Sequence, residues 1–314
     1  MLALLFILSI PLWGYLILRN KSFDPAIFGW LLTLVSVICI YKFVNAGSLF
    51  MMLLYILSTF LSMKIVVANN HLGKDSQLNF IQWLLFSYAW FGMNPLPFKS
   101  FPSRSLTDYR KYFIKGLSRI VLGILLINIV NYFFKGVNEI VPDILIKLSY
   151  LISLSLILHF GVLSISAGFL RLLGIPVTSL FKDPLKSKSL QEFWSKRWNI
   201  AFVELTTLAV LRPAKKKFGG TTAFWMSFIF SGLLHELAIS LSVNSGFGKP
   251  FAYFIIQALL ILTIEKYFID RLSSGFIKTM WVLACLLLPI FLLFHENFID
   301  QIVVPLVLYF SYVN

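Results

Sequence analysis

Two adjacent residues deep in the apolar run 221–243, His235 and Glu236, are the side chains of this sequence best suited to acid–base chemistry. Ionisable groups inside an apolar segment of membrane length are costly and rare, so each one is a candidate functional group. His235 is about the fifteenth residue of its run, too deep for its side chain to reach water. Its imidazole must therefore face protein or a cavity, where it can accept a proton.

Small and hydroxyl-bearing residues share the helical face of His235, at steps of three and four positions. They are Ser227, Ser231, Ala238 and Ser242. This stripe predicts either the lining of a channel or a surface for close helix packing, in which case His235 only hydrogen-bonds a neighbouring helix. Glu236 points about 100° away from His235, so we expect it to pair with a base on another helix. His159 has apolar neighbours and is expected to be structural.

A second polar cluster is the segment QEFWSKRWN, from Gln191 to Asn199, which combines aromatic, basic and amide side chains. Ser189 and Glu192 have the spacing of a capping box, which predicts that a helix begins here. Residues four apart share a face of an α-helix, and these pairs are Phe193 with Arg197, Trp194 with Trp198, and Ser195 with Asn199. Such a helix suits a bilayer surface, with Trp at headgroup depth. Asn199 is then either a helix cap or a functional amide.

Membrane-spanning helices are the elements that must position these residues. The 314 residues are 59% hydrophobic and 13% charged, with a mean hydropathy of +0.85, values far from those of soluble domains. The runs long enough to cross about 30 Å of hydrocarbon are 1–18, 26–43, 48–66, 118–134, 145–171, 221–243, 250–269 and 277–295, with a shorter run at 301–314. The run 78–98 suits a re-entrant segment as well as a span. We predict an all-α, polytopic integral membrane protein of eight to ten spans, forming one domain over 1–314.

Basic residues concentrate in two loops of a chain whose net charge is +14. The loops 99–119 and 171–217 hold 6 and 10 of the 27 Lys and Arg, which predicts that both are cytoplasmic. If 78–98 dips into the membrane and returns, as the charge count favours, Lys64 also lies on that side. The basic face is either the topology signal with attraction to anionic lipid, or a surface for an anionic cytosolic substrate. The two cysteines lie in apolar runs, so redox chemistry is not expected.

Two segments, DPLKSKSLQEFWSKRWNIAFVELTTLAVLRP and FIFSGLLHELAIS, together resemble the wax synthase branch of the membrane-bound O-acyltransferase (MBOAT) superfamily. In that family a Ser-Leu-Gln-x-Phe-Trp segment that ends in Arg-Trp-Asn carries a functional Asn, and a later Ser-Gly-Leu-x-His-Glu segment carries the catalytic His. The matching positions are Asn199 and His235. The resemblance is dense over the motif core 183–240, and WFGMNPLPF, 90–98, is a weaker match to a Trp-x-Gly-Met-x-Pro element of microbial members.

The resemblance implies an MBOAT-like bundle with a cytoplasmic amphipathic helix before the catalytic span, and transfer of an acyl group from acyl-CoA to a hydroxyl. A long-chain alcohol as acceptor gives a wax ester. His235 acts as general base on the alcohol, and Asn199 donates its amide either to the thioester carbonyl or to the CoA linker. The implied substrate-binding residues are Trp194, Lys196, Arg197, Trp198, Ser231 and Arg212, with Lys215, Lys216 and Lys217 as further phosphate partners.

The expected partners follow from the same resemblance. They are acyl-CoA as co-substrate, a lipid alcohol or other hydroxyl acceptor, and membrane lipids, with no metal, no other cofactor and no nucleic acid. The expected location is the bacterial inner membrane, or the endoplasmic reticulum in a eukaryote. One alternative is an acetyltransferase that acts on a sterol, terpenoid or saccharide hydroxyl with the same His and Asn. A second is a proton-coupled transporter in which His235 and Glu236 relay protons, although the sequence shows no inverted repeat.

Overall fold

The protein is built from helices throughout the part of the chain that the structure describes. A computed structural model describes residues 2–20, 22–73, 77–134, 143–272 and 274–311. No strand occurs in these ranges, and seven of their helices are long and apolar enough to cross a membrane. The prediction of an all-α, polytopic membrane protein is therefore confirmed. The predicted count of eight to ten spans exceeds the seven found in the described ranges, because Leu2–Ile17 and Phe80–Ala89 form shorter apolar helices.

Twelve helices, numbered in chain order, make up the described ranges. They are α1 (Leu2–Ile17), α2 (Pro25–Phe43), α3 (Ser48–Leu72), α4 (Phe80–Ala89), α5 (Tyr109–Phe134), α6 (Asp143–Leu172), α7 (190–197), α8 (200–218), α9 (Gly220–Val243), α10 (Lys249–Phe268), α11 (Gly275–Leu293) and α12 (296–309). The seven candidate spans are α2, α3, α5, α6, α9, α10 and α11. The helix α4, in the ambiguous run 78–98, rises only about 15 Å and is too short to cross the hydrocarbon alone. Of the predicted last run, residues 312–314 lie outside the described ranges.

These helices pack into two compact units, each built from two stretches of the chain. The first unit combines Met1–Lys99 with Lys182–His295 and contains α1 to α4 and α7 to α11. The second unit combines Ser100–Phe181 with Glu296–Asn314 and contains α5, α6 and α12. The motif core 183–240 lies wholly in the first unit. The prediction of a single integral domain stays a prediction.

The short helix α7 packs its apolar side against α10 and α11 within the first unit. The buried side chains of this cluster are Leu190, Phe193, Ile261, Val282, Cys285 and Leu286. Burial of such side chains is the main favourable term that fixes a short helix, because α7 is too short to be stable alone. The segment QEFWSKRWN is therefore held by the bundle on its apolar side.

Seven π-helical turns interrupt the helices of the described ranges. They are Leu85–Ala89, Leu156–Val162, Phe193–Arg197, Thr207–Leu211, Glu236–Ser240, Ile261–Glu265 and Ile299–Val303. Each closes hydrogen bonds between residues five apart, so the side chains that follow are shifted around the axis relative to an α-helical count. One such turn begins directly after His235, and another lies inside α7.

The assignment of Lys64 to the cytoplasmic basic face is wrong, because this residue lies inside α3 and is 0% exposed. Its Nζ donates to the carbonyl oxygens of Phe86 at 2.9 Å, Trp90 at 2.9 Å and Gly92 at 2.5 Å. An ammonium group has three protons to donate, so all of them are used inside the protein. One acceptor, Phe86, lies in the last turn of α4, where helix carbonyls carry partial negative charge, and the other two lie just after the helix.

In the second unit, α5 and α6 approach each other through glycines. A Cβ placed on Gly123 of α5 would lie 2.8 Å from the carbonyl oxygen of Ser153 and 2.6 Å from Cγ1 of Ile157. A Cβ placed on Gly161 of α6 would lie 2.5 Å from Cγ1 of Ile120. Small residues permit this close approach, which lets two membrane helices gain dispersion contacts along their backbones.

Replacement of Gly123 by Leu should destabilise the second unit, because the new side chain must displace Ser153 and Ile157. Overpacking of this kind costs about 1–3 kcal/mol, so we expect a lower melting temperature for the detergent-solubilised protein. Leu122→Ala, at an adjacent position that is 46% exposed, is the matched control and should change the melting temperature much less. Equal melting temperatures for Gly123→Leu and the wild type would contradict this packing.

Candidate functional site

His235, on α9, has one ring nitrogen bound to its own helix. Its Nδ1 lies 2.7 Å from the carbonyl oxygen of Ser231. A carbonyl only accepts hydrogen bonds, so Nδ1 carries the proton and donates it, and the lone pair of the neutral ring is on Nε2. No described residue forms a hydrogen bond with Nε2. The imidazole is therefore held in a tautomer whose Nε2 can accept a proton.

Two phenylalanines from other helices hold the plane of this imidazole. The ring of Phe202, on α8, lies 5.6 Å from that of His235 at an interplanar angle of 57°. The ring of Phe254, on α10, lies 4.4 Å from it at 40°. These contacts and the hydrogen bond to Ser231 restrict rotation of the ring. The helices α8, α9 and α10 thus meet at His235.

Asn199 is the residue that precedes α8 and caps it. Its backbone is left-handed, with φ 44° and ψ 66°, a conformation that Asn adopts more readily than most residues. Its side-chain Oδ1 accepts a hydrogen bond of 3.2 Å from the backbone N–H of Phe202. No described residue accepts from its Nδ2. The cap fixes the amide plane and leaves the N–H groups available to donate.

Phe202 connects the two predicted catalytic residues. Its backbone N–H binds the side chain of Asn199, and its ring packs against His235. A helix cap has a defined geometry, so the position of the Asn199 amide is fixed with respect to the residue that contacts the imidazole. The structure thereby brings together two residues that are thirty-six positions apart in the sequence.

A buried carboxylate from α10 fixes the start of α7. Glu265, which is 4% exposed, accepts hydrogen bonds from the backbone N–H of Gln191 at 2.9 Å and from that of Leu190. The first hydrogen bond of the predicted capping box is present, from Glu192 N–H to Ser189 Oγ at 2.9 Å. The second differs, because the Glu192 carboxylate accepts from the N–H of Lys188 at 2.8 Å. Three otherwise unsatisfied donors of a helix end are thus bound by side chains.

Trp194 packs inside the first unit against α10. Its ring lies 5.6 Å from that of Phe254, which in turn contacts His235. Its Nε1 donates to Oε1 of Gln257 at 3.3 Å, and Gln257 donates to the carbonyl oxygen of Cys285 at 2.9 Å. A Trp bound in this way is held by protein groups on α10. The expectation that it lies at headgroup depth stays a prediction.

The π-helical turn in α7 changes which of its side chains meet. Phe193 stacks on Trp198 with ring centroids 5.3 Å apart, and Glu192 binds Arg197 at 2.7 Å. Both pairs are five residues apart, so the predicted pairing at four residues is wrong here, because a π-turn brings i and i+5 together. Arg197 also donates to the carbonyl oxygens of Lys182 at 3.2 Å and Asp183 at 3.4 Å. Most of its donors are therefore used within the protein.

The two carboxylates nearest to Asn199 along the chain have opposite shifts of pKa. Burial raises the pKa of Glu192, but the Lys188 N–H and the Arg197 guanidinium outweigh it and hold that pKa below its ordinary value. Burial raises the pKa of Glu204, on α8, and the hydrogen bond from Met93 N–H only partly opposes this. The first carboxylate is thus stabilised in its charged form and the second is not.

The remaining predicted binding residues differ in how the protein uses them. Lys196 and Arg212 are exposed, and neither forms a hydrogen bond or ion pair with a described residue. The exposed lysines that follow Arg212 on α8 are Lys215, Lys216 and Lys217. The hydroxyl of Ser231 donates to the carbonyl oxygen of Ser227 at 2.8 Å, so Ser231 meets His235 only through its backbone. These exposed cations form the basic surface of the first unit.

Two other predicted ionisable residues bind partners of their own. Glu236 accepts a hydrogen bond of 2.9 Å from the backbone N–H of Phe251, in the first turn of α10, where the expected partner was a base. A carboxylate there also compensates the positive end of the helix dipole. His159 belongs to the second unit, and its Nδ1 lies 3.2 Å from the hydroxyl of Ser155. Its expected structural role stays a prediction.

Several residues that shape this site belong to no motif of the sequence. Phe202 and Phe254 are ordinary apolar residues in their runs, and nothing in their spacing indicates contact with a histidine. Gln257 and Glu265 carried a signal, because polar groups inside an apolar run require partners. The distance of eight positions places them on one side of α10, from which they bind α7.

One comparison with known protein families concerns the same part of the chain. Residues 177–257 match the model of a family described as the membrane bound O-acyl transferase family. The probable long-chain-alcohol O-fatty-acyltransferase 8 of Arabidopsis thaliana is 28% identical over 165 residues, 49% of this chain and 46% of that protein. The probable long-chain-alcohol O-fatty-acyltransferase 2 of the same plant is 44% identical over 79 residues, 21% of this chain and 22% of that protein.

A further relative has the same kind of name. The long-chain-alcohol O-fatty-acyltransferase of Simmondsia chinensis is 29% identical over 73 residues, 21% of each chain. In every one of these matches the chain spans less than half the length of the relative. The resemblance to the wax synthase branch of the MBOAT superfamily is confirmed by these findings.

Arg197→Ala should lower the melting temperature, whereas Lys196→Ala should not. Loss of the guanidinium leaves the partly buried carboxylate of Glu192 without its charged donor, and a hydrogen bond to a charged group contributes about 1.5–3 kcal/mol. Lys196 is the matched control, since it is adjacent, basic and exposed, and its loss should stay within about 0.5 kcal/mol. Thermal unfolding of the purified protein measures both. Equal effects of the two substitutions would mean that the guanidinium does not hold α7 in place.

Proposed function

We propose that this protein is a membrane O-acyltransferase that moves an acyl group from acyl-CoA to a hydroxyl, with a long-chain alcohol as acceptor and a wax ester as product. The observation that carries the proposal is the hydrogen bond from His235 Nδ1 to the Ser231 carbonyl, which leaves Nε2 available as a base on a ring that packs against Phe202, whose N–H binds Asn199. The family match over 177–257 and the names of the similar plant proteins support it.

In the proposed reaction His235 moves one proton. The alcohol oxygen attacks the carbonyl carbon of the thioester while its proton passes to Nε2. The tetrahedral oxyanion then re-forms the carbonyl and breaks the carbon–sulfur bond. CoA leaves as a thiolate that takes the proton from the imidazolium, so the ester and free CoA are released and the imidazole is neutral again. No covalent enzyme intermediate is needed.

Asn199 supplies a donor to the charge that develops in this step. Its Oδ1 is held by the Phe202 N–H, so Nδ2 can point to the thioester without further ordering of the side chain. A preorganised donor of this kind contributes about 3 kcal/mol when it binds the oxyanion. The alternative that its amide binds the CoA linker predicts a change in KM for acyl-CoA and little change in kcat.

The exposed cations of the first unit suit the phosphates of CoA. Lys196 and Arg212 form no hydrogen bond or ion pair with a described residue, and three lysines follow Arg212 on α8. Charge-assisted hydrogen bonds to phosphate need donors of this kind. Loss of these contacts should raise KM for acyl-CoA without a change in kcat. Added salt should have the same effect, because it screens exposed charges. The role of Arg197 is smaller, because its donors already bind Glu192 and two carbonyls.

His235→Ala should abolish ester formation by the purified protein without loss of folding. Removal of a general base typically lowers the rate by about 10²-fold or more, and Ala leaves only the space of the ring between Phe202 and Phe254. Radiolabelled acyl-CoAs of several chain lengths, tested against a panel of alcohols, measure the product and its chain length. A short-chain donor used in preference would favour the acetyltransferase.

His159→Ala is the control for His235→Ala and should keep most activity. Turnover by His235→Ala within about threefold of wild type would contradict the mechanism.

Asn199→Asp is a sharper test of the amide than Asn199→Ala. Aspartate keeps the oxygen that caps Phe202 and tolerates the left-handed backbone, but it has no N–H to donate. We expect kcat to fall by about 10²- to 10³-fold with an unchanged melting temperature. Asn199→Ala should lose the cap as well, which costs about 0.5–2 kcal/mol of stability. Full turnover by Asn199→Asp would assign the residue to capping alone.

A further inference from the structure

Lys64 is a buried cation whose place in the fold the proposed reaction does not explain. Its side chain is fully buried in α3, and all three of its protons are bound by the carbonyl oxygens of Phe86, Trp90 and Gly92. A charge in an apolar interior costs free energy even when it is well bound, and an apolar side chain of similar volume is often tolerated in its place. A lysine at this position therefore points to a requirement beyond the filling of space.

Glu204 binds the same short stretch of chain from the other side. Its carboxylate accepts a hydrogen bond of 3.0 Å from the backbone N–H of Met93. Lys64 binds the carbonyl oxygens of Phe86, Trp90 and Gly92. The two side chains thus bind the backbone of the segment 90–94, Lys64 at its carbonyl oxygens and Glu204 at the Met93 N–H.

The two residues belong to elements that carry the candidate site. Glu204 lies on α8, five positions after Asn199, which caps that helix. The helix α3 also binds α8 through Asn70, whose amide donates to the carbonyl oxygen of Leu208 at 3.2 Å. In addition, α3 packs against the π-helical turn that follows His235 on α9. The helix that bears Lys64 therefore contacts both of the helices that bear the candidate catalytic residues.

We propose that Lys64 and Glu204 are positioning residues, which clamp the segment 90–94 between α3 and α8 and thereby hold Asn199 in its productive place relative to His235. The inference rests on the proposed acyl transfer. Neither residue touches the reacting atoms. Their effect passes through the backbone of the segment 90–94 and through α8, whose first residue follows Asn199. A displacement of about 1 Å at a catalytic donor lowers turnover by about 10²-fold.

Lys64 and Glu204 with their bonds to the segment 90–94 are called the clamp below. The kinetic test compares variants that lack one clamp residue with a variant that keeps the hydrogen bond of Glu204. Lys64→Met and Glu204→Ala should each lower kcat by about 10²-fold, with KM for acyl-CoA unchanged within about twofold, because the exposed cations are untouched. Glu204→Gln keeps an oxygen for the Met93 N–H, so kcat should recover to within about threefold of wild type. Controls with the same chemical change are Lys42→Met and Glu296→Gln, both at exposed positions. A purely structural role would lower yield and melting temperature but not kcat per folded molecule.

A second measurement reports the exposure of the segment 90–94 and does not depend on enzyme activity. Met93 is 3% exposed, so Met93→Cys, in a chain with Cys39→Ser and Cys285→Ala, should react slowly with N-ethylmaleimide. Addition of Lys64→Met or Glu204→Ala should raise the rate of reaction at least about tenfold, because an opened segment exposes the thiol. Lys42→Met in the same background should leave the rate unchanged.

The outcomes separate this inference from the proposed function. If the wild type forms no ester, the acyltransferase proposal fails. In that case faster labelling of the clamp variants would still show that Lys64 and Glu204 hold the segment 90–94. If the wild type is active and both clamp variants keep wild-type kcat, the positioning role is overturned while the acyltransferase proposal stands. Slow labelling in every variant overturns the clamp. Should Lys64→Met fail to fold, Glu204→Ala and its restoration by Glu204→Gln decide the question.

Discussion

The cost of leaving a polar group unsatisfied in an apolar interior organises the first unit. Among the described residues of this unit, Lys64, Glu204, Glu236 and Glu265 each bind the backbone of an element other than their own. Glu265 of α10 binds the N–H groups that begin α7, and Glu236 of α9 binds an N–H in the first turn of α10. Lys64 of α3 binds the carbonyls at the end of α4, and Glu204 of α8 binds the segment after it. Each of these side chains therefore joins two elements by hydrogen bonds, which fix their relative position more specifically than hydrophobic contact alone.

The candidate site lies where three of these joined elements meet. The helices α8, α9 and α10 contribute Phe202, His235 and Phe254, and the last residue before α8 is Asn199. The apolar rings restrict the imidazole while they form no hydrogen bond with it, so its Nε2 stays available. The Asn199 side chain divides its groups in the same way, with its oxygen used for capping and its N–H groups free among the described residues. In each side chain one polar atom is fixed by a hydrogen bond within the protein, and the other polar atom is available to a ligand.

The segment QEFWSKRWN forms a short helix whose side chains have specific partners. Its short helix is held by Glu265 at its start, by Trp194 bound to Gln257 along its side, and by Arg197 bound to Glu192 at its end. Each of these contacts needs a particular side chain at a particular position, and each contributes to the placement of Asn199. Residues with such specific partners tolerate substitution less than apolar residues that face a bilayer, which require only hydrophobicity.

The sequence by itself determined the all-α membrane class, the approximate positions of the long helices and the hydrogen bond that caps α7, because these depend on local composition and spacing. It also indicated His235 and Asn199, through an ionisable group in an apolar run and through the family resemblance. Only the tertiary structure decided that Lys64 is buried, that Trp194 faces α10, and that Phe202 links Asn199 to the imidazole. The π-helical turns shift side chains away from the α-helical count, so the pairing within α7 could not follow from a period of 3.6. The partner of a buried polar group depends on which elements meet, and that is a property of the packed bundle.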